Sequence, residues 1–294
     1  MLQKGLRSLI DKDARVGSKS KTSQFYGYKA EFTMTADERI ITAVETHNGE
    51  YVDGKEFAPL LENTLNSGME VKELYGDKAY FRKDILDALN EKKIKGYIPV
   101  SASVYKVDEE LFAYNKDSDQ WFCFMGNHTV SSKKTTQTKR GKTYDQLSYL
   151  FYKQQCIDCP HRDICIGKNR SKARKLQVAA SAPLFYELSQ EQKQPEFKEK
   201  YKKRSAQEWK NAEMKRFHGM VRARGWGLRS IRTQVKLTAI AVNLKRIAAL
   251  IASKTPRTER DSSSGGTNLV SQILSLWILP RYALKNLSTA NISG

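Results

Sequence analysis

Residues 27–47, GYKAEFTMTADERIITAVETH, decide the fold class of this chain, because two runs rich in aromatic and β-branched residues flank a polar break at residues 36–38. Such a pattern predicts an antiparallel β-hairpin. Downstream, Asp53 and Glu56 stand three residues apart, which is typical of a capping box at a helix start. The helix that follows should end at Gly68 and bury one face, made of Phe57, Leu60, Leu61, Thr64 and Leu65.

A short strand is predicted at residues 71–75, a second helix at 81–93 (FRKDILDALNEKK) and another strand at 96–100 (GYIPV). The order strand, strand, helix, strand, helix, strand predicts an α/β domain with a mixed sheet.

The composition changes between Ser101 and about Arg174. Polar hairpin-like pieces (LFAYNKDSDQWFCFMG) are followed there by a basic low-complexity run (SSKKTTQTKRGK) and a cysteine cluster. This stretch is interpreted as an insertion. Helical periodicity returns at residues 183–192, 196–217 and 231–252. In the last of these helices we expect a core-facing stripe of Leu237, Ile240, Ala241, Leu244, Ile247, Ala248 and Ile251.

The pattern therefore divides the chain into four parts. Residues 1–100 begin the α/β domain, 101–174 form the insertion, 175–254 are its helical remainder, and 255–294 have the composition of a linker and a poorly ordered tail.

The charge balance points to a polyanionic partner. Lys plus Arg number 51 against 32 Asp plus Glu, which leaves a formal net charge of +19. A field of this size suits nucleic acid first and an anionic membrane surface second. No stretch has the length and apolarity of a signal peptide or a membrane span, so a soluble cytoplasmic protein is expected. In a reducing compartment, the four cysteines predict metal ligands or free thiols.

One polar stripe stands out in the helix that contains YKKRSAQEWKNAEMK. At about 100° per residue, Tyr201, Arg204, Glu208 and Lys215 share one narrow face. A charged stripe is usually a solvated face supported by ion pairs four residues apart. The alternative is a carboxylate set among phosphate-binding cations, as phosphoryl transfer requires.

A second carboxylate, Asp77 in LYGDKAYF, follows the predicted strand 71–75, and ligands of open α/β sheets gather beyond this end of the strands. In isolation it could equally be a turn aspartate. Paired with Glu208 it fits metal-assisted phosphoryl transfer, and we expect the two carboxylates to lie within about 8 Å of each other.

These residues resemble the DDE transposases of bacterial insertion sequences, in the group with a Y-(2)-R-(3)-E-(6)-K signature. Tyr201, Arg204, Glu208 and Lys215 match that spacing, and Asp77 in GDKAYF matches the second acidic residue of the family. The resemblance covers about residues 11–254. It implies an RNase H-like mixed sheet with flanking helices, interrupted by the cysteine-containing insertion before the helix of the catalytic glutamate.

The same resemblance implies the roles of the residues. Asp77 and Glu208 would hold Mg²⁺ or Mn²⁺, Arg204 and Lys215 would grip phosphates of double-stranded DNA, and Tyr201 would bind a phosphate or pack. The implied activity is metal-dependent strand cleavage and transfer at transposon ends, by a homodimer on DNA.

The first catalytic aspartate of the family has no clear counterpart. Asp11 and Asp13 are weak candidates, and the chain resembles the C-terminal portion of a longer transposase and lacks the first, central strand of its sheet. The catalytic activity of such a portion by itself stays open.

The four cysteines form a second candidate site. Cys156, Cys159 and Cys165 have C-x₂-C-x₅-C spacing, and either Cys123 or His161 could complete a tetrahedral structural Zn²⁺ site. Buried or free thiols are the alternative.

The segment KRFHGMVRARGWGLRSIR is predicted to contact DNA through arginines set among glycines and Trp226, or else to be a basic solvated loop. The arginines are Arg216, Arg222, Arg224, Arg229 and Arg232. The run SSKKTTQTKRGK is interpreted as a flexible, nonspecific contact. His47, His128 and His218 are assigned to packing or capping.

Two other functions stay open on the sequence alone. One is a noncatalytic DNA-binding protein that uses the cysteine cluster and the basic segments, and the other is a zinc protein associated with RNA or the ribosome.

Overall fold

The computed structural model describes residues 7–18, 20, 22–139, 141–166, 173–254 and 286–293. The chain forms two compact units. The first unit lies within Met1–Ile98 and Glu199–Gly294, and the second unit is Pro99–Lys198. Among the described helices, none is long and apolar enough to cross a membrane.

The first unit is built on a mixed sheet that begins with the predicted hairpin. Strands β2 (Gln24–Thr35) and β3 (Ile41–Asn48) pair antiparallel, with Tyr28 opposite Asn48 and a bulge after Thr33, so this prediction is confirmed. The other strands of the sheet are β1 (Arg15–Ser18), β4 (Glu73–Tyr75), β5 (Lys95–Tyr97) and β11 (Asn286–Ser293). The spatial order is β3-β2-β11-β4-β5, and β1 pairs with the start of β2.

Strand β11 comes from the end of the chain and lies in the middle of this sheet. It runs antiparallel to β2 and parallel to β4, with Leu287 opposite both Thr35 and Leu74. The sequence analysis expects a sheet without a central strand, whereas β11 satisfies the facing backbone groups of β2 and β4. The rest of the predicted linker and tail, residues 255–285 and 294, lies outside the described residues.

Two helices follow the strands much as predicted. Helix α1 (Phe57–Asn66) buries Phe57, Leu60, Leu61 and Thr64, and α2 (Lys83–Glu91) lies between β4 and β5. The capping box is wrong, because α1 begins at Phe57 without a side-chain cap, and Asp53 instead accepts a hydrogen bond from Lys29 at 3.1 Å.

The second unit combines short hairpins with small helices. Strands β6 (Phe112–Asn115) and β7 (Gln120–Cys123) form one hairpin, and β8 (Thr129–Lys139), β9 (Lys142–Phe151) and β10 (Lys175–Ala179) form a three-stranded antiparallel sheet. Its helices are α3 (Lys153–Ile157), α4 (Arg162–Cys165) and α5 (Ala182–Lys193). Trp121, Tyr149 and Phe151 are its largest fully buried side chains.

The basic run SSKKTTQTKRGK is not an irregular segment, since most of it is strand β8, paired along its length with β9. The β-branched threonines at 135, 136 and 138 favour an extended strand despite the lysines.

The helix predicted at 196–217 has three parts. Helix α6 (Pro195–Tyr201) ends in a 3₁₀ turn at Lys202–Arg204, and α7 (Ser205–Phe217) follows. The tighter turn changes the rotation per residue, so Tyr201 does not share a regular helical stripe with Glu208.

Helix α8 (Gly227–Lys254) exists as predicted, but the core-facing stripe is wrong. The buried residues are Ile231, Val235, Thr238, Ala239 and Val242, which pack against Phe32, Met34 and Ile41 of the hairpin. By contrast, the side chains of Leu237, Ile240 and Leu244 are 61%, 55% and 45% exposed. Both faces of α8 carry apolar residues, so only the position of the sheet selects which one is buried.

Candidate functional site

Asp77 lies directly after β4, at the start of a 3₁₀ turn over Lys78–Tyr80. Its backbone carbonyl accepts the N–H of Tyr80 at 2.9 Å, and its side chain is 52% exposed. The carboxylate therefore points into solvent from a short, hydrogen-bonded turn at the end of a sheet strand.

A buried glutamate fixes this turn to the rest of the sheet. Glu31 of β2 is 1% exposed, and its carboxylate accepts hydrogen bonds from the hydroxyls of Tyr80 (3.2 Å) and Tyr51 (3.0 Å) and from the N–H of Gly54 (2.8 Å). Burial, followed by the negative charge of Glu31, raises the pKa of Tyr80 well above its usual range. The Tyr80 hydroxyl thus remains a donor, and Asp77 is held three residues away from this anchor.

His47 of β3 joins the same buried cluster. Its Nε2 is 3.3 Å from Glu31, and its ring stacks on Tyr51 with 3.6 Å between centroids. The assignment of His47 to packing therefore omits its polar contact with a buried carboxylate.

Three cations, one at the end of α6 and two in the 3₁₀ turn that follows, attach this segment to acidic residues in or next to the sheet strands. Lys200 contacts Glu73 at 2.7 Å, Lys203 contacts Asp37 at 3.1 Å, and Arg204 contacts Asp77 at 3.9 Å. The resulting contacts place the first turn of α7 beside the carboxyl end of β4.

These contacts change the pKa of Glu73. Burial alone would raise its pKa, but hydrogen bonds from Lys200 and from the Tyr75 hydroxyl outweigh burial and lower it. Glu73 therefore stays ionised as the partner of Lys200, in the strand that Asp77 follows.

Glu208 and Asp77 meet at one guanidinium group. Nη2 of Arg204 lies 2.6 Å from Oε1 of Glu208, and Nη1 lies 3.9 Å from Oδ2 of Asp77. The Arg204 side chain is 25% exposed and that of Glu208 is 65% exposed. Two carboxylates that are distant in the sequence thus share one cation at the surface of the first unit.

Tyr201 lies close to the same group. The guanidinium carbon of Arg204 is 5.7 Å from the centroid of the Tyr201 ring. Burial is the largest influence on the pKa of Tyr201 and raises it, while Arg204 lowers it and the carboxylates of Asp77 and Glu208 raise it further. Tyr201, Arg204, Asp77 and Glu208 therefore form one cluster, which we call the carboxylate cluster.

Lys215 is half-buried in the last turn of α7. It lies seven residues after Glu208, nearly on the same face of the helix and about 10 Å along its axis.

Asp11 and Asp13 are placed at the start of α8 instead. Oδ2 of Asp13 accepts the N–H of Leu228 at 2.9 Å, and Oδ1 of Asp11 accepts the N–H of Gly227 at 3.2 Å and the hydroxyl of Tyr28. Carboxylates at a helix N-terminus satisfy its unpaired N–H groups, so capping accounts for both residues.

The predicted DNA-binding arginines lie in and after the loop that follows α7. Arg222, Arg224 and Arg229 are exposed, and in the described part of the chain no ion pair involves them. Gln234 holds the loop, because it accepts the N–H of Arg224 at 2.9 Å and donates to the carbonyl of Arg222 at 2.9 Å. We use the name basic loop for Arg222 and Arg224 of this loop together with the flanking helical arginines, Arg216 of α7 and Arg229 and Arg232 of α8.

Gly219 permits the shape of this loop. Its φ is +70°, and a Cβ atom there would lie 2.5 Å from the guanidinium of Arg224. A larger residue would therefore both strain the backbone and displace an arginine.

Besides Trp226, which the sequence pattern indicated, two other aromatic residues of the first unit, Trp209 and Phe217, are exposed. Trp209 is 71% exposed, Phe217 is 74% exposed, and Trp226 is 72% exposed. Trp209 directly follows Glu208 in a helix that is otherwise largely polar. A tryptophan in such a helix was the signal in the sequence for an exposed aromatic residue.

All four cysteines are free thiols and line one cavity of the second unit, together with Phe112, Phe151, Arg162 and Arg174. Burial is the main reason that the pKa of Cys165 is raised, and the other three cysteines also raise it, whereas Arg174 lowers it. The four sulfurs are thus electrostatic neighbours.

Neither cluster forms a ready-made metal site. Within the described residues, no three His, Cys, Asp or Glu side chains are arranged as ligands of one ion. Asp77 and Glu208 nevertheless fit a divalent cation, because they are hard oxygen donors that already share one positive charge, that of Arg204.

Comparison with known proteins agrees with this chemistry. Residues 122–248 match the family model of the transposase DDE domain, which supports a DDE transposase family for this chain. That family implies a nuclease or transposase enzyme with a DNA substrate, and it usually uses a divalent metal. The match includes Glu208 and all four cysteines, but it begins at residue 122 and so does not include Asp77. No curated protein and no solved structure matches the chain.

Proposed function

We propose that this chain is a transposase of a bacterial insertion sequence, which cleaves and transfers DNA strands at transposon ends with Mg²⁺ or Mn²⁺. The observation that carries the proposal is the meeting of Asp77 and Glu208 at the Arg204 guanidinium, in a chain that matches a transposase DDE domain.

The sheet order supports an RNase H-like interpretation of the first unit. β11 lies between an antiparallel neighbour, β2, and a parallel neighbour, β4, and Asp77 follows β4. Ligands of such sheets bind beyond the carboxyl ends of the parallel strands, which is where the carboxylate cluster lies.

Asp77 and Glu208 would hold the divalent ion in this proposal. A divalent ion bound there supplies Lewis-acid polarisation of the scissile phosphate and favours deprotonation of the attacking hydroxyl. Arg204 then leaves the carboxylates for a phosphate oxygen, to which its planar fork can donate two hydrogen bonds. Lys215, further along α7, contacts a neighbouring phosphate as a point charge.

The Tyr80–Glu31 anchor and the Lys200 and Lys203 ion pairs help to hold the two segments that carry the carboxylates. Catalytic groups held by such contacts need little reorganisation when the substrate binds.

DNA binding is assigned to the basic loop and to the exposed aromatic residues near it. Arginines without acidic partners exchange counterions for phosphates, so binding should weaken steeply as salt rises. Trp209, Phe217 and Trp226 offer flat surfaces on which an unpaired base at a DNA end could stack. By resemblance, the active species is a homodimer on paired ends, in the cytoplasm.

The test is a strand-cleavage assay with the full chain, duplex DNA that carries the ends of the element, and Mg²⁺ or Mn²⁺. Asp77→Asn and Glu208→Gln should each lower cleavage by at least about a hundredfold, because each removes a charged ligand, while DNA affinity is kept. Glu62→Gln, an exposed change on α1, is the matched control and should cleave normally. Cleavage that survives in both carboxylate variants contradicts the proposal.

A second function is favoured by one observation, since the Arg204 guanidinium already forms ion pairs with both carboxylates. A noncatalytic DNA-binding protein would use the basic loop and have no need of a divalent ion. Salt-sensitive DNA binding with no cleavage by the unmodified chain in either metal would support this second function and exclude the enzyme.

A further inference from the structure

We propose that Cys123, Cys156, Cys159 and Cys165 form a tetrathiolate site for one structural Zn²⁺ ion within the second unit. This inference is independent of the transposase proposal, because the site lies in a different compact unit from Asp77 and Glu208.

The fold brings together cysteines from separate pieces of chain. Cys123 is the last residue of β7, Cys156 lies in α3, Cys159 lies between α3 and α4, and Cys165 ends α4. All four line the same cavity. Sequence spacing alone joins only the last three, so the position of Cys123 is the decisive new observation.

Apolar packing alone does not stabilise the two short helices that carry Cys156 and Cys165. Helices α3 and α4 have five and four residues, neither has a side-chain cap, and their only buried side chain is Cys156. Helices this short are unstable by themselves. Ile164 is 70% exposed, so the apolar residue of α4 does not attach it to the core. A metal bound by residues of β7, α3 and α4 would supply the missing attachment.

Ligand chemistry selects zinc. Four sulfur donors suit a tetrahedral Zn²⁺ site that is closed to substrate, and four thiolates with one such ion carry a net charge of −2. Two arginines that line the cavity, Arg162 and Arg174, offset this charge.

Outer contacts of the kind that orient metal ligands are also in place. The backbone N–H of Arg174 donates to Sγ of Cys156 at 3.5 Å, and its guanidinium donates to the carbonyl of Cys165 at 2.6 Å. Hydrogen bonds of this type fix and tune metal-bound thiolates. Within the described residues, no three ligand side chains are yet arranged around one ion, so metal binding in this cavity requires the thiols to shift their positions.

His161 is excluded from this ligand set by its surroundings. Its ring packs edge-on against Phe124, with 5.2 Å between centroids, and it is not part of the cavity lining. The proposed set is therefore four cysteines rather than three cysteines and a histidine.

The experiment measures metal content and cobalt spectra of the full chain. Purified under reducing conditions with zinc, the chain should contain one Zn²⁺ by mass spectrometry of the metal. After exchange, Co²⁺ should give the intense visible bands and sulfur-to-metal charge transfer of a tetrahedral four-thiolate site. Chelation of the metal should lower the thermal midpoint, since binding to the folded state alone stabilises it.

Variants then identify the ligands. Cys123→Ser should lower zinc occupancy at least about tenfold at limiting metal, whereas His161→Asn, the matched control, should retain one zinc. Loss of zinc in His161→Asn together with its retention in Cys123→Ser overturns the four-cysteine set. Four reactive thiols without metal, or disulfides in the purified chain, overturn the proposal altogether. The cobalt spectrum of the unmodified chain decides between three and four thiolates even if a variant fails to fold.

Discussion

The carboxylate cluster of the first unit and the cysteine cavity of the second unit are both assembled from distant parts of the chain, yet they differ in exposure. The side chains of Asp77 and Glu208 are 52% and 65% exposed and share the Arg204 guanidinium, whereas the cysteines, one buried and three half-buried, line a largely apolar cavity. An exposed cluster can exchange its partner for a phosphate or a metal ion. A less exposed, apolar cavity gains stability from a group that fills it. The two clusters thus suit the two roles proposed above, a metal-dependent reaction at the first and a structural metal at the second.

The largest expected effect concerns the core of the second unit, the unit that carries the cysteine cavity. Trp121 is fully buried among Tyr114, Tyr149 and Tyr186 of the second unit, so Trp121→Ala should lower the free energy of unfolding by about 3–5 kcal/mol. Urea denaturation followed by circular dichroism measures the change. Trp209→Ala, on an exposed site of α7, is the control and should stay within about 0.5 kcal/mol. Equal losses in both variants would show that burial does not distinguish these sites.

The next effect tests the support of the exposed cluster. Glu31→Ala leaves the buried hydroxyls of Tyr51 and Tyr80 and the N–H of Gly54 without their acceptor, and should cost about 3 kcal/mol. Hydrogen exchange at the Tyr80 amide should accelerate, since the turn after Asp77 loses its anchor. Glu62→Ala provides the comparison on α1. Unchanged exchange at Tyr80 would mean that Glu31 does not position this turn.

Helix α7 also carries a less exposed glutamate, Glu213, which can be compared with the exposed Glu208. Glu213 of α7 is 24% exposed and contacts Lys210, which is 3% exposed, and Lys245, both at 3.0 Å. Burial would raise the pKa of Glu213, but the hydrogen bonds from Lys245 and Lys210 outweigh it and lower the pKa below its usual 4.5. Glu213→Gln should therefore cost about 1–2 kcal/mol near neutral pH.

The pH dependence of this difference follows from the sign of the shift. A carboxyl whose pKa is lowered in the folded state stabilises the fold above its unfolded pKa and loses that contribution as pH falls through the folded value. Thermal midpoints of the unmodified chain and of Glu213→Gln should accordingly converge below about pH 4.5. A constant gap across this range would show that Glu213 acts through packing rather than charge.

The smallest effect concerns the shared cation of the exposed cluster. Arg204→Ala removes the positive charge between Asp77 and Glu208, so Mn²⁺ should bind the free protein severalfold more tightly, while affinity for DNA falls. Electron paramagnetic resonance of free Mn²⁺ measures the first change. Arg222→Ala, in the basic loop, should leave Mn²⁺ affinity unaltered and weaken only DNA binding. Weaker Mn²⁺ binding in Arg204→Ala would contradict competition between the guanidinium and the ion.

Local patterns of the sequence predicted the hairpin, α1, α2 and the existence of α8, because their apolar periodicity and turn residues are strong. Three residues of the signature, Tyr201, Arg204 and Glu208, lie around Asp77, although on a broken rather than a continuous helix, and their roles stay predictions. The capping box at Asp53 failed because Lys29, distant in the sequence, attracts that carboxylate.

Other features could not be predicted from local pattern. The stripe of Leu237, Ile240 and Leu244 was as apolar as the face that packs on Phe32, so periodicity could not choose between them. The short sequence NLSTANIS carries no hydrophobic alternation that would mark it as the middle of a sheet, and only pairing with both β2 and β4 makes it β11.

The sequence by itself determined the basic charge, the strand and helix types, and which residues are chemically suited to bind metal or phosphate, because these depend on residue identity and short-range periodicity. Tertiary structure alone decided which of them meet. Asp77 and Glu208 share one guanidinium, Cys123 lines one cavity with the other cysteines, and Glu31 anchors Tyr80. No local pattern connects these segments, since backbone pairing and burial act across the whole chain.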